Sequence, residues 1–187
     1  MHIIIVGAGI AGLTAWFSLR KHLPDAKVII IEKHSSSESS NTTQEDSPST
    51  YGGGLGVSPN GMRALRHLSQ GLHAKVTREG FPVDDFEFRS AGGSSLGLWP
   101  ANSNSPTRES TVMMQRKALR TILNEAVDEI AVDAGAEVAQ VTTDGEVILS
   151  DGRRLEADLI IGADGVRSVV RAAILDKGEA GHEPEFQ

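Results

Sequence analysis

The chain has 187 residues, enough for one domain with a real core or for a core domain joined to part of another. Its formal net charge of −7 gives no general attraction to nucleic acid or to an acidic membrane surface. It has no cysteine, which excludes disulfides, thiolate metal sites and cysteine nucleophiles, and fits an intracellular, cytoplasmic protein.

The opening run MHIIIVGAGIAGLTAWFSL lacks a basic leader and is broken early by glycine. It reads as structure rather than as a signal peptide. No run reaches the ~18 apolar residues of a membrane span. His2 to Val6 is a β-branched run ending at glycine, hence a buried strand. Ile10 to His22 reads as a helix with an apolar stripe of Leu13, Trp16, Phe17 and Leu19, stopped by Pro24. Lys27 to Ile31 is a second buried strand that ends at Glu32. Strand, helix and strand in so short a space form one βαβ unit with parallel strands.

The junction of this unit carries chemistry. IIIVGAGIAGL holds G-x-G-x-x-G at Gly7, Gly9 and Gly12, and Glu32 follows twenty residues after Gly12. Together these make a dinucleotide fingerprint. Gly7 permits a tight turn, Gly9 lets a pyrophosphate approach the backbone, and Gly12 lets the helix pack closely on the strands. The helix start, with Ile10 and Ala11, offers unpaired N–H groups and a positive dipole end to phosphates. Glu32 is placed to accept hydrogen bonds from a ribose diol, and its charge disfavours a 2′-phosphate. Lys33 beside it joins the candidate set. The fingerprint alone does not separate NAD from FAD.

Residues 35–50 are polar and low in complexity, and are expected to form a mobile loop. After YGGGLGV, Ser58 is a good N-cap and Pro59 a good first residue for a helix with Met62, Leu65 and Leu68 on one side. DFEFRS and SLGLWP flank Ala91-Gly92-Gly93 as a hairpin, with Phe88 and Trp99 read as lining a substrate cavity or, the preferred reading, as core of a partial roof. Residues 102–110 form another polar loop. VMMQ leads into a helix from about Lys117, with Leu119, Ile122, Leu123, Ala126 and Val127 on its face. Glu129 to Val132 reads either as the last turn of that helix or, the preferred reading, as a short third strand of the parallel sheet. A meander follows, from Glu137 to Thr142 and Glu146 to Leu149, with turns at Asp144-Gly145 and Asp151-Gly152. Leu159 to Ile161 is a last apolar strand, Ala163-Asp164-Gly165 its tip, and Ser168 to Leu175 a helix. The tail from Asp176 is polar. The histidines show no metal spacing.

YGGGLGVSPNGMRALRHL resembles the segment after the second strand in FAD-dependent monooxygenases of the aromatic-hydroxylase type, close in kind to fungal enzymes that epoxidise or hydroxylate natural products. VMMQRKALRTIL resembles the family's R-x-x-L-x-x-x-L helix, and DLIIGADGVRSVVR its second glycine-bearing motif. The matches come in the family's order from Ile3 to Arg171. The resemblance implies an α/β fold: a Rossmann-like FAD-binding domain of the glutathione-reductase type with a β-meander and a partial substrate-domain hairpin. The expected division is 1–82 and 111–178 for FAD, 83–110 for the hairpin and 179–187 for the tail. It implies FAD contacts at Gly52, Gly53 and Arg116, adenine near the backbone of Val138, and Asp164-Gly165 near the pyrophosphate and the nicotinamide approach. Arg116 as a solvated helix-start arginine, Asp164 as an acid at a helix start, and the glycines at 52–54 as plain loop are the alternative readings.

The resemblance further implies a flavin reduced by NAD(P)H that uses O2 to oxygenate a small-molecule substrate, with no side-chain nucleophile. No catalytic residue and no metal site are assigned. The family's later Gly-Asp motif and the rest of its roof have no counterpart in this sequence, so a chain cut short before them, with a missing C-terminal half, is expected. A dinucleotide-binding fragment without turnover, or another flavoenzyme of this architecture such as a halogenase or lipid reductase, remains the alternative. SPNGMRAL resembles the hydroxylase branch.

Overall fold

A computed structural model describes residues 1–34, 53–100, 109–128 and 132–175. The chain forms two compact units, Met1–Thr42 with Val127–Gln187, and Thr43–Ala126. In chain order, β1 (His2–Val6), α1 (Ile10–His22) and β2 (Lys27–Glu32) open the first unit. The second unit holds β3 (Gly54–Val57), α2 (Pro59–Leu68), α3 (Gln70–Glu79) and β4 (Phe81–Val83). It continues through β5 (Asp85–Arg89), β6 (Ser95–Pro100), β7 (Thr111–Gln115) and α4 (Arg116–Glu125). The first unit resumes with β8 (Val132–Ala134), β9 (Val138–Val141), β10 (Glu146–Leu149), β11 (Arg154–Glu156) and β12 (Leu159–Gly162). A 3-10 turn at Gly165–Arg167 leads to α5 (Val169–Leu175).

The first unit is built on a four-stranded parallel sheet of order β12-β1-β2-β8. Its central strands β1 and β2 are apolar on both faces because both faces are covered there, as parallel sheets require. Ile4, Val6 and Ile31 pack with Val138, Val141, Val147 and Leu149 of the antiparallel meander β9-β10-β11 and with Val170 of α5. By strand alternation Ile3, Ile5 and Ile30 point the other way, to the face that α1 covers. Each such fully buried isoleucine contributes roughly 1.5–3 kcal/mol of transfer free energy. The meander turns hold Gly145 and Gly152 at φ 96° and 88°, left-handed values that explain glycine after Asp144 and Asp151. The third parallel strand exists, but its described part is Val132–Ala134 rather than 129–132. Residues 129–131 lie outside the described set, as do loop 35–50, most of loop 102–110 and the tail.

The second unit contains an antiparallel sheet of order β3-β7-β4 and a separate hairpin β5-β6. Ser58 caps α2 by accepting from the Gly61 N–H at 3.4 Å, and Met62 and Leu65 are buried beneath it. The hairpin forms as expected, with Phe86 opposite Trp99 and Phe88 opposite Gly97. Its residues do not form a core. Phe88 is 58% and Trp99 68% exposed, because the described strands β5 and β6 pair with each other alone.

Candidate functional site

The three fingerprint glycines have different causes. Gly7 sits at φ 102°, and a Cβ there would lie 2.6 Å from the Ala163 carbonyl oxygen. At Gly12 a Cβ would strike the Gly7 carbonyl oxygen and come within 3.3 Å of the Ala163 Cβ. Internal packing therefore forbids a side chain at both positions. Gly9 is different. Its φ is −75°, which any residue adopts, and a Cβ there meets nothing within 4 Å among the described residues. The open space above Gly9 lies at the start of α1, which has no side-chain cap and no acid in its first turn. The N–H groups of Ile10 and Ala11 have no acceptor within the helix and add to its positive end. This is an open cradle, at the positive end of the helix, that a side chain at Gly9 would fill.

Glu32 closes the tip of β2 and is only 9% exposed. Its Oε2 accepts from the Ala8 N–H at 2.7 Å, and its Oε1 from the His34 N–H at 3.0 Å. Its carbonyl accepts from the N–H groups of Gly135 and Ala136 at 2.7 and 3.1 Å. Beyond it opens a cleft of about 440 Å³ lined by Lys33, His34, Gly135, Ala136, Glu137, Ser150 and Asp151. That volume suits a small ligand. Val138, at the start of β9, turns its side chain into the core, so its backbone is the part left for a ligand. On the cleft rim, the Arg153 backbone N–H and then its guanidinium hold the Asp151 carboxyl below the usual range. The same pair, followed by Asp133 at 3.0 Å, holds Arg153 above its own.

Asp164 and Gly165 stand at the tip of β12, next to the finger. The Ala163 N–H donates to the Val6 carbonyl at 2.8 Å, and Ala163 is the wall against which Gly7 and Gly12 pack. Asp164 Oδ2 accepts from the Val169 N–H at 2.7 Å and so caps α5. Its Oδ1 is buried with no hydrogen-bond partner among the described residues. Gly165 has φ 81°, and space lies open above it. Three parallel strand tips thus gather Gly7, Gly9, Gly12, Glu32, Lys33, Asp164 and Gly165 at one carboxyl edge of the sheet, where open α/β sheets take ligands.

Gly53 and Arg116 belong to the second unit and adjoin one another: the Arg116 N–H donates to the Gly53 carbonyl at 3.3 Å. A Cβ at Gly53 meets nothing within 4 Å among the described residues, and Arg116 is exposed at the first position of α4. Gly52 lies outside the described residues. Sequence reasoning missed the wall at Ala163 and the inward partners of Glu32. It also missed a buried carboxylate, Glu109, held by Arg66 at 2.5 Å and His73 at 3.1 Å. No local pattern marks a contact between residues so far apart in the chain. Among the described residues there is no group of three or more His, Asp or Glu placed to hold a metal ion, and no helix long and apolar enough to cross a membrane.

The family described as FAD binding domain matches residues 1–184. The chain is 31% identical over 183 residues to 3-amino-4-hydroxybenzoate 2-monooxygenase of Streptomyces cremeus, covering 94% of this chain and 42% of that protein. It is 29% identical to the FAD-dependent monooxygenase andE of Emericella variicolor, covering 96% of this chain and 36% of that one. Among solved structures, the tetrameric form of 2-methyl-3-hydroxypyridine-5-carboxylic acid oxygenase superposes with a TM-score of 0.69 at 26% identity, over 92% of this chain and 42% of that one. The chain therefore spans about two fifths of the length of these relatives.

Proposed function

The chain belongs to the FAD binding domain family, and on that footing we propose that it forms the cofactor-holding part of an FAD-dependent monooxygenase. The reaction would hydroxylate or epoxidise a small organic or natural-product substrate with NAD(P)H and O2. The observation that carries the reading is the open cradle at Gly9, at the start of an uncapped helix and beside the buried Glu32. Gly7 and Gly12 lack side chains for the protein's own packing. Gly9 needs that lack only if something else approaches.

The residues present fit FAD. The first-turn N–H groups of α1 would hold the pyrophosphate, and the Glu32 carboxylate would accept from the ribose diol. Lys33 lines the cleft where adenine would lie, and the Val138 backbone is proposed to meet it. The buried Oδ1 of Asp164, without a hydrogen-bond partner among the described residues, has capacity for one more donor, which a ligand or its bound water would supply. Gly52, Gly53 and Arg116 are proposed as further contacts. When bound, the flavin supplies the redox chemistry, with NAD(P)H as reductant and O2 as the oxygen source. The protein's own residues bind and orient it, and no side-chain nucleophile is required.

We extend the proposal to a Rossmann-like domain of the glutathione-reductase type over 1–82 and 111–178, with residues 83–110 as part of a substrate domain. The relatives' greater length favours a second reading, in which this chain alone binds the dinucleotide without turnover. The visible absorption spectrum of the purified chain, before and after adding FAD, tests the first step. A flavin spectrum or saturable titration supports the site, and NAD(P)H oxidation with substrate then separates the two readings. A folded protein that ignores FAD would remove both.

A further inference from the structure

Glu32 matches the acid that the dinucleotide fingerprint assigns to a ribose. Its bonds within the protein indicate an additional duty. The left-handed Gly7 turns the backbone sharply, and the Gly7 N–H pairs with the Ile31 carbonyl at 2.8 Å. The next N–H, of Ala8, is buried inside the turn, where Ala8 is 2% exposed. A buried N–H left unpaired is costly. Glu32 Oε2 takes it at 2.7 Å across 24 residues, while Oε1 takes the His34 N–H at 3.0 Å.

We propose that Glu32 is a positioning residue whose carboxylate braces the Gly7-Ala8-Gly9 turn against the end of β2, and thereby aims the first-turn N–H groups of α1. The brace stands on these bonds alone. What it aims at rests on the FAD reading. The pattern also explains why an acid suits the position better than an amide. Two inward N–H donors need two acceptor oxygens, and glutamine offers one, with its NH2 turned on the other donor. The charge strengthens both bonds.

Two measurements test this. The first is amide hydrogen exchange in the protein without dinucleotide, for wild type, Glu32→Ala and Glu32→Gln. The Ala8 amide should exchange at least tenfold faster in Glu32→Ala and to an intermediate degree in Glu32→Gln, with Ile4 and Ile5 of β1 unchanged. Unchanged exchange at Ala8 would overturn the brace. Should Glu32→Ala fail to fold, the glutamine variant decides. The second is affinity for FAD and for an analogue whose adenosine ribose lacks both hydroxyls. The brace predicts that Glu32→Ala weakens both ligands, tenfold or more for the analogue. A loss confined to FAD would show a ribose contact only and overturn the positioning role. Altered exchange at Ala8 in a protein whose wild type binds no FAD would keep the brace and refute the FAD reading instead.

Discussion

Replacing Gly12 by alanine should destabilise the protein, although the same change inside a helix ordinarily stabilises. Gly12 is buried in the first turn of α1, and its missing Cβ faces the Gly7 carbonyl oxygen, the Gly7 carbonyl carbon at 3.1 Å and the Ala163 Cβ at 3.3 Å. The first two are backbone atoms that no rotamer change can move. Restoring ordinary contact demands a shift on the order of 1 Å between α1 and the finger. Overpacking of this kind costs about 1–3 kcal/mol, and a rigid backbone partner places it near ~3 kcal/mol. Alanine's better helix propensity offsets about 1 kcal/mol. The net loss is ~2 kcal/mol, or a fall in Tm of about 4–8 °C for a chain of this size. Thermal unfolding without ligand measures it. Gly9→Ala is the matched control: its Cβ meets nothing within 4 Å, so stability should stay within about 1 kcal/mol while FAD affinity falls at least tenfold. A Gly12→Ala protein as stable as wild type would refute the packing argument. A Gly9→Ala protein with full FAD affinity would refute the cradle.

Ser58→Ala should cost about 0.5–1 kcal/mol by urea unfolding, since the cap bond to Gly61 is long at 3.4 Å. Glu109→Ala should cost ~2 kcal/mol, by leaving Arg66 and the largely buried His73 without their shared carboxylate. Asp151 is ionised in the fold below its ordinary pKa, first through the Arg153 N–H and then through the guanidinium. Its contribution is therefore complete above an ordinary Asp value of about 4 and is lost as pH falls through the lower folded value. In acid unfolding curves, Asp151→Asn should flatten that limb below about pH 4 while leaving the neutral-pH slope unchanged.

The β1-α1-β2 unit was legible because both of its strands are continuous apolar runs bounded by glycine or charge, and α1 matches its expected limits from Ile10 to His22. The Asp-Gly turns were legible because their backbone demands glycine. Helix α3 was not, since its only buried residues, Leu72 and Val76, give too weak a stripe. Its start depends on Ser69, which ends α2 and caps α3 with one residue. Strand β3 hides in a glycine-rich stretch because its regularity comes from pairing with β7, about sixty residues later. The turn at Gly7 and the close packing at Gly12 were readable from the fingerprint, but not the wall that both meet. That wall is Ala163, which no spacing rule connects to residue 7. Phe88 and Trp99 were placed inside on hydrophobicity alone, and burial depends on what covers them.

The central position of β1 has a consequence in time. Its neighbour on one side, β2, follows within thirty residues, but Ile3 pairs on the other side with Leu159, and the His2 N–H bonds Asp158 across 156 positions. During vectorial synthesis the first strand therefore waits with one apolar edge unpaired until almost all of the described chain has left the ribosome. Such long-range parallel pairing is slow and leaves an edge open to other chains. The glycine finger gains its wall only when Ala163 arrives. A nascent chain shorter than about 165 residues should thus engage chaperones through β1 and hold no dinucleotide, and both properties should change together once β12 docks.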